Sequence, residues 1–92
     1  MVKYEIKPSN QFKKDLKIAA KRGYKIELLS DVIQKLANGE ALNPKYRDHQ
    51  LSGNFGFYRE CHIQPDWLLI YQIDDGKLLL LLSRTGTHSD LF

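Results

Sequence analysis

A chain of 92 residues can form one domain with a single core, and it is too small for a cofactor domain beside a substrate domain. Its 42% hydrophobic and 27% charged residues are typical of a folded soluble protein and exclude a disordered tail. The net charge of +3 favours an anionic partner, although so mild an excess identifies none.

Cysteine content and hydropathy indicate the cellular compartment in which the protein is expected. Cys61 has no second cysteine with which to form an internal disulfide. No apolar run is long enough to cross a membrane or to follow a basic segment as a signal peptide. We therefore expect residues 1–92 to form one cytoplasmic domain.

The first part of the chain predicts a strand followed by two helices. Residues 2–7 alternate apolar and polar side chains, and Pro8 ends this strand. Ser9 or Asn10 can cap a basic amphipathic helix that runs to Gly23. A second helix covers residues 25–37 and ends at Asn38 and Gly39. The side chains expected to face the core are Phe12, Leu16, Ala19 and Ala20, then Leu29, Val32, Ile33 and Leu36.

The second part predicts an irregular connection and an antiparallel meander. Periodicity is lost over residues 40–56, where proline and glycine are frequent. Strand-like runs follow at residues 57–63, 67–73 and 77–84, with turns at 64–66 and 74–76. The tail from Thr85 is too short for another packed element, but it is long enough to lay His88 and Phe92 across the sheet.

This β-α-α-β-β-β order predicts a two-layer α+β fold, in which a helical hairpin packs on one face of a mostly antiparallel four-stranded sheet. Alternation in the strand from residue 57 divides its side chains between the two faces. Phe57, Arg59, Cys61 and Ile63 share one side, and Tyr58, Glu60 and His62 share the other, which we expect to face away from the helices. Trp67, Leu69, Tyr71 and Ile73 are expected in the core.

Side chains suited to proton transfer are concentrated in the second half of the chain. His49, His62 and His88 are the only histidines, and Asp66 lies among them. Only histidine has an unperturbed pKa that lets it give and take protons near neutral pH. RNA cleavage by the ribose 2′-hydroxyl needs a base, an acid and cations that stabilise charge on phosphorus. These residue types therefore indicate a small ribonuclease.

Each candidate also has a simpler interpretation. His62 can be a strand residue that is merely hydrogen-bonded, and Asp66 can be an ordinary turn residue. His49 can be a surface residue of a loop. Arg84 suits a phosphate or an ion pair. Phe92 can stack on an RNA base or pack as a hydrophobic residue at the end of the sheet. His88 lies in a polar, glycine-containing tail without an apolar stripe, which makes it the preferred general acid.

The remaining cations and the question of metal are less specific. Lys45, Arg47 and Arg59 are expected to attract the RNA backbone. The basic cluster at residues 13–25 is either a solvated helix face or a surface for ribosomal RNA phosphates. The histidines and Asp66 match no compact ligand spacing, so we expect neither a metal nor another cofactor.

Three stretches together resemble the YafQ branch of the RelE/ParE superfamily of bacterial toxins, and the likeness covers essentially the whole chain. They read YRDHQL at 46–51, GFYRECHIQPDWLLIY at 56–71 and RTGTHSDLF at 84–92. The resemblance implies a RelE-like fold and a ribosome-dependent endoribonuclease that cuts mRNA in the decoding site. It also implies a cognate, DinJ-like antitoxin that holds the toxin inactive in a hetero-oligomer.

The resemblance further implies roles for individual residues. Glu60 stands where relatives may carry aspartate, which leaves its role open, and Asp66 is either a base or a partner that orients a histidine. The implied catalytic residues are His49, His62, Asp66 and His88, with Arg84 contacting phosphate and Phe92 as the terminal aromatic.

Two other functions fit the same sequence. A ParE-like toxin of this fold would bind DNA gyrase without cutting RNA. A passive RNA-binding module would lose affinity when lysines are replaced and would be unaffected by histidine substitutions.

Overall fold

The computed structural model describes residues 2–92, which form an α+β fold of two layers. Two short 3₁₀ turns, Pro44–Tyr46 and Gly53–Phe55, interrupt the long connection before the meander. Within the described residues, the helices and strands are β1 (Glu5–Pro8), α1 (Asn10–Lys21), α2 (Ile26–Ala37), β2 (His49–Gln50), β3 (Arg59–Gln64), β4 (Trp67–Asp74), β5 (Leu79–Gly86) and α3 (His88–Leu91).

The sheet has the order β1-β5-β4-β3-β2, with β1 parallel to β5 and every other pair antiparallel. It therefore has five strands among residues 2–92, and the prediction of four was wrong by one. The additional strand, β2, pairs His49 with Glu60 and Gln50 with Arg59. Two residues are too few to show a period of two, so the sequence pattern could not reveal this strand.

The predicted helices are confirmed, and their ends follow local chemistry. The Ser9 side chain accepts a hydrogen bond from the Phe12 amide at 2.9 Å, which caps α1. Gly39 follows α2 with a φ of 77°, a backbone conformation that glycine adopts without steric cost. Ala20, however, is exposed, so the apolar stripe of α1 is narrower than predicted.

Both helices pack on the same face of the sheet and enclose one core. Trp67 and Tyr71 are among the largest fully buried side chains, as predicted, and Leu69 is also buried. The core members with the lowest exposure also include Phe12, Ala19, Leu29, Val32, Leu36, Ala37, Cys61, Ile63, Leu80 and Leu82. Among residues 2–92, no helix is both long and apolar enough to span a membrane.

The predicted alternation along β3 is confirmed, with one exception. Cys61 and Ile63 enter the core, and burial raises the pKa of the Cys61 thiol well above its usual range. Phe57 was expected on the same side, but it is 86% exposed. Because β3 begins only at Arg59, the alternation does not extend back to Phe57.

An irregularity in β5 changes which side chains face the helices. Ile70 lies opposite Arg84, whereas Tyr71 lies opposite Leu82, so Ser83 is an extra residue in this strand. The shift turns the Thr85 side chain inward, where its hydroxyl accepts a hydrogen bond from the Trp67 indole at 2.9 Å. Arg84 consequently lies on the same face as Ile70, away from the core.

Arg84 nevertheless contacts α1. Its Nε and Nη2 donate to the two carboxylate oxygens of Asp15 at 2.8 and 3.2 Å, and the Thr85 amide donates to Asp15 at 3.2 Å. Asp15 is 5% exposed, whereas 35% of the Arg84 side chain stays accessible. The ion pair considered for Arg84 is therefore present, and part of its guanidinium surface still faces solvent.

We predict that Asp15→Asn lowers the free energy of unfolding by about 1–3 kcal/mol, because asparagine has one acceptor oxygen for four donors, two from Arg84 and one each from Thr85 and Gln11. Urea denaturation at pH 7 would measure the midpoint and its slope. Asp31→Asn removes an exposed carboxylate from the neighbouring helix and should change the stability by less than about 0.5 kcal/mol. Equal losses in both variants would contradict a specific role for the Asp15 contact.

Candidate active site

Five aromatic rings form a continuous row across the sheet face opposite the helices. The ring centroids are separated by 6.5 Å from His49 to His62, 5.9 Å from His62 to His88, 6.2 Å from His88 to Phe92 and 5.8 Å from Phe92 to Phe55. The three predicted histidines come from β2, β3 and α3, and the sheet brings them together. We call these five side chains the ring row.

His62 lies in the middle of the row and is held at both ring nitrogens. Its Nδ1–H donates to the Pro65 carbonyl at 3.2 Å, because a carbonyl oxygen can only accept. Its Nε2 lies 3.2 Å from a carboxylate oxygen of Glu60, which is 5% exposed. The Glu60 contact becomes an ion pair when the His62 ring carries both protons, so Glu60 has a defined neighbour in this site.

His49 is oriented by its own loop. Its Nδ1–H donates to the Arg47 carbonyl at 2.6 Å, which leaves Nε2 as the nitrogen with a lone pair. Arg47 has a φ of 50°, a left-handed conformation that turns the chain into β2. The tautomer of His49 is therefore the one required of a proton acceptor.

Asp48 anchors the loop that carries His49. It accepts hydrogen bonds from the Tyr71 hydroxyl and from Arg59 Nη2, the latter at 3.1 Å. Burial and this bond raise the pKa of Tyr71 well above its usual range, so the phenol stays protonated as a donor. Arg59, which was predicted to attract RNA, is thus engaged within the fold while 35% of its side chain stays exposed.

His88 forms a pair with Asp66. One Asp66 oxygen, Oδ1, accepts from the His88 amide at 3.1 Å and from its ring Nδ1 at 3.0 Å. These two bonds lower the pKa of Asp66, with the amide contributing most. Both side chains are more than half exposed, so the His88 ring is oriented yet accessible. Of the two roles considered for Asp66, this geometry suits the one that orients a histidine.

The tail that carries His88 is a helical turn clamped to α1. The Thr87 hydroxyl accepts from the Asp90 amide at 3.2 Å, and an Asp90 oxygen accepts from the Thr87 amide at 2.9 Å. Arg22 donates to both Asp90 oxygens at 2.6 and 3.1 Å. A Cβ at Gly86 would lie 2.9 Å from Asp90, so this close approach requires glycine. The tail was expected to be too short for another packed element; it forms a helix of four residues, none of them buried, which Arg22 secures.

Two hollows adjoin the ring row, the first at His62 and the second at Phe55 and Phe92. The first hollow, of about 530 Å³, is lined by Lys45, Tyr46, Arg47 and His62 among others. The second hollow, of about 360 Å³, is lined by Ser9, Phe55, Tyr58, Ile70, Ser83, Arg84, Leu91 and Phe92. Of the predicted cations, Lys45 and Arg47 thus line the first hollow and Arg84 lines the second, whereas Arg59 lines neither. Within residues 2–92, no three histidine, cysteine, aspartate or glutamate side chains are arranged to hold a metal ion.

Three residues at or near the site were missed in the sequence. Asp15 was visible as the lone acid of a basic helix, and Asp90 as the acid three positions after Thr87. Phe55 lies between glycines in a turn-rich segment, where an aromatic side chain has no predicted core to enter. These features are visible in the sequence, but none of them indicates which distant residue Asp15, Asp90 or Phe55 contacts.

Comparison with known proteins gives consistent matches over the whole chain. The family model described as a bacterial toxin of type II toxin-antitoxin system, YafQ, matches residues 4–92. The mRNA interferase toxin YafQ of Escherichia coli K12 is 41% identical, with 100% of this chain and 99% of that protein covered. The E. coli DinJ-YafQ toxin-antitoxin complex contains a chain with a TM-score of 0.90, 40% identity and 99% coverage of both chains. A metal-bound toxin from Helicobacter pylori gives a TM-score of 0.91 with 47% identity and full coverage of both chains.

We predict that Asp90→Asn frays α3, because one amide oxygen cannot replace two carboxylate oxygens facing Arg22 and Thr87. Amide hydrogen exchange should accelerate about tenfold or more at residues 90–92, whereas Ser89→Ala, an exposed change in the same turn, should leave it unchanged.

The contacts of Asp90 with Arg22 and Thr87, which hold α3 in place, depend on pH. Hydrogen bonds from Arg22 and Thr87 hold the pKa of Asp90 far below its usual range. A carboxyl group with a depressed pKa stabilises the fold fully above its unfolded value, about 3.9, and loses this contribution as pH falls toward the depressed value. Protection of α3 should therefore persist down to about pH 4 in the wild type. Loss of protection already at pH 5 would contradict the clamp.

Proposed function

Since the chain belongs to the YafQ family of bacterial type II toxin-antitoxin toxins, we propose that it is an mRNA interferase, a ribosome-dependent endoribonuclease that cuts mRNA in the decoding site and stops translation. The observation that carries this proposal is the row of three histidines, two of which have ring orientations suited to a base and an acid. Close relatives named mRNA interferase support it independently.

His49 is the proposed general base. Its Nδ1 proton is committed to the Arg47 carbonyl, so Nε2 can remove the proton from the ribose 2′-hydroxyl. The resulting oxyanion attacks the adjacent phosphorus and forms the 2′–O–P bond. The short bond to Arg47 favours this orientation before RNA arrives, which reduces the cost of reaching the reactive geometry.

His88 is the proposed general acid. Asp66 holds Nδ1–H, so a protonated His88 presents Nε2–H to the leaving 5′-oxygen. Breaking the P–O5′ bond and transferring this proton gives a 5′-hydroxyl and a 2′,3′-cyclic phosphate. Asp66 stays ionised because its pKa is lowered, so it acts as the positioning partner of His88.

The negative charge that builds on the phosphate oxygens needs cations nearby. His62, when doubly protonated beside Glu60, supplies one from the centre of the row. The exposed part of Arg84 supplies another from the second hollow, and Lys45, Arg47 and Arg59 attract the flanking backbone. Phe92, 58% exposed at the end of the row, is proposed to stack on a base. Neither a metal nor another cofactor is required by this scheme.

The proposed partners are the ribosome, mRNA and an antitoxin. The solved structure of E. coli DinJ with YafQ supports a DinJ-like antitoxin that forms a hetero-oligomer with this chain. The basic face of α1, where Lys13, Lys14, Lys17 and Lys21 are exposed, is available for ribosomal RNA phosphates. We place the protein in the cytoplasm, where these partners are found together.

We predict that His88→Ala and His49→Ala each slow mRNA cleavage by about 10²- to 10⁴-fold, because each removes one proton-transfer step. Primer extension on a defined mRNA in a purified translation system, with and without ribosomes, would locate and time the cuts. Cuts within codons should require ribosomes and should disappear when the antitoxin encoded beside the toxin is added.

Lys77→Ala is the matched control, since it removes an exposed cation from the turn between β4 and β5, outside the ring row and the basic face of α1, and leaves all histidines in place. Cleavage at the wild-type rate by both histidine variants would contradict the proposal. If the wild-type chain makes no cuts and instead inhibits gyrase supercoiling of DNA, the ParE-like function would replace it.

A further inference from the structure

We infer that the second hollow binds the base of the nucleotide next to the cleaved bond, and that Phe55 is a base-stacking residue within it. This inference rests on the proposed function and adds a substrate-binding residue to it. Phe55 was not predicted from the sequence, and it belongs to the 3₁₀ turn Gly53–Phe55 rather than to the sheet.

The position of the second hollow follows the ring row. Phe92 adjoins His88 at 6.2 Å, and Phe55 adjoins Phe92 at 5.8 Å, so the aromatic surface continues directly from the proposed general acid. RNA whose leaving 5′-oxygen is protonated by His88 places the nucleoside that carries this oxygen next to the His88 ring. The hollow is therefore the first base-sized aromatic surface that the strand meets on this side of the cut.

The two phenylalanines leave aromatic surface available. Their planes are inclined by 85°, so Phe92 and Phe55 contact each other edge to face rather than stacking in parallel. Phe55 is 49% exposed and Phe92 is 58% exposed. Unlike a single exposed ring, two exposed rings in contact form a patch of aromatic surface that a ligand can cover. An edge-to-face pair forms a corner into which a flat ring can insert.

The lining of the second hollow suits a nucleotide. Ile70, which is 6% exposed, and Tyr58 line its apolar part. Ser9 and Ser83 add polar groups, and the Ser9 hydroxyl donates to the Ser83 carbonyl at 2.9 Å. Arg84 supplies a cation, with 35% of its side chain accessible, for the phosphate of the bound nucleotide. The volume of about 360 Å³ lies within the common range for small-ligand pockets, about 300–1,000 Å³.

The experiment compares variants of Phe55 with Phe57→Ala. Phe57 lies two residues away, is 86% exposed and does not line the second hollow, so it controls for loss of any exposed phenylalanine. Phe55→Ala removes the ring, Phe55→Leu keeps apolar volume without an aromatic face, and Phe55→Trp keeps the face. Circular dichroism and urea denaturation would establish that each variant is folded.

Binding would be followed on ribosomes programmed with an mRNA that carries a 2′-deoxy sugar at the cut site and 2-aminopurine on either side of it. Stacking on an aromatic ring quenches 2-aminopurine fluorescence. We expect quenching at one of the two positions with the wild type and with Phe55→Trp. Phe55→Ala and Phe55→Leu should reduce quenching, because only Phe92 remains to contact the base, and should weaken mRNA binding by about 5- to 150-fold, the usual effect of losing one base stack.

Cleavage of the all-ribose mRNA gives a second readout. Phe55→Ala should raise KM with little change in single-turnover kcat, because its contact is with a base and not with the reacting phosphate. Phe57→Ala should match the wild type in both measurements.

Wild-type quenching and cleavage in the folded Phe55→Ala and Phe55→Leu variants would overturn the inference. So would variants that lose antitoxin binding alone, which would assign the second hollow to the antitoxin. Absence of cleavage by the wild type would instead refute the proposed function.

Discussion

Two charge pairs join α1 and the residue that follows it, Arg22, to the end of the chain, and they hold the proposed catalytic face in place. Asp15 binds Arg84 at the end of β5, and Arg22 binds Asp90 in α3. A four-residue helix has too few internal hydrogen bonds to be stable by itself. The position of His88, and with it that of Phe92, therefore depends on a helix on the opposite side of the sheet. The Asp15–Arg84 pair is the more buried of the two, so loss of either partner would leave a poorly solvated charge without its counterpart.

Each histidine ring is likewise held in its orientation by contacts with neighbouring residues. The Arg47 carbonyl fixes one ring, the Pro65 carbonyl and Glu60 fix the next, and Asp66 fixes the third. None of these partners needs to touch RNA, yet together they set which nitrogen can accept or donate a proton. The site is thus preorganised by backbone oxygens and carboxylates, and the sheet supplies the spacing of the rings.

Sequence patterns predicted the fold well where periodicity was long, and failed where contacts were distant. Both helices, the meander and the core positions of Trp67 and Tyr71 followed from apolar spacing. Apolar spacing revealed neither the two-residue strand β2 nor the exposure of Phe57, because neither feature produces a periodic pattern of apolar residues. The histidines were identifiable by residue type and by family resemblance. The contacts of their partners Glu60 and Asp66 could not be predicted, because they depend on the register of the sheet and on the position of α3.

In the proposed reaction, histidine acid–base chemistry drives attack by the ribose 2′-hydroxyl. The chemical ends of the RNA fragments test it most directly, since they record which oxygen attacked the phosphorus. Mass spectrometry of fragments cut on ribosomes by the wild-type protein should find 5′-hydroxyl ends together with 2′,3′-cyclic phosphates or the 3′-phosphates that they yield. Fragments with 5′-phosphate and 3′-hydroxyl ends would mean that water attacked instead, and would contradict the assignment of His49 and His88.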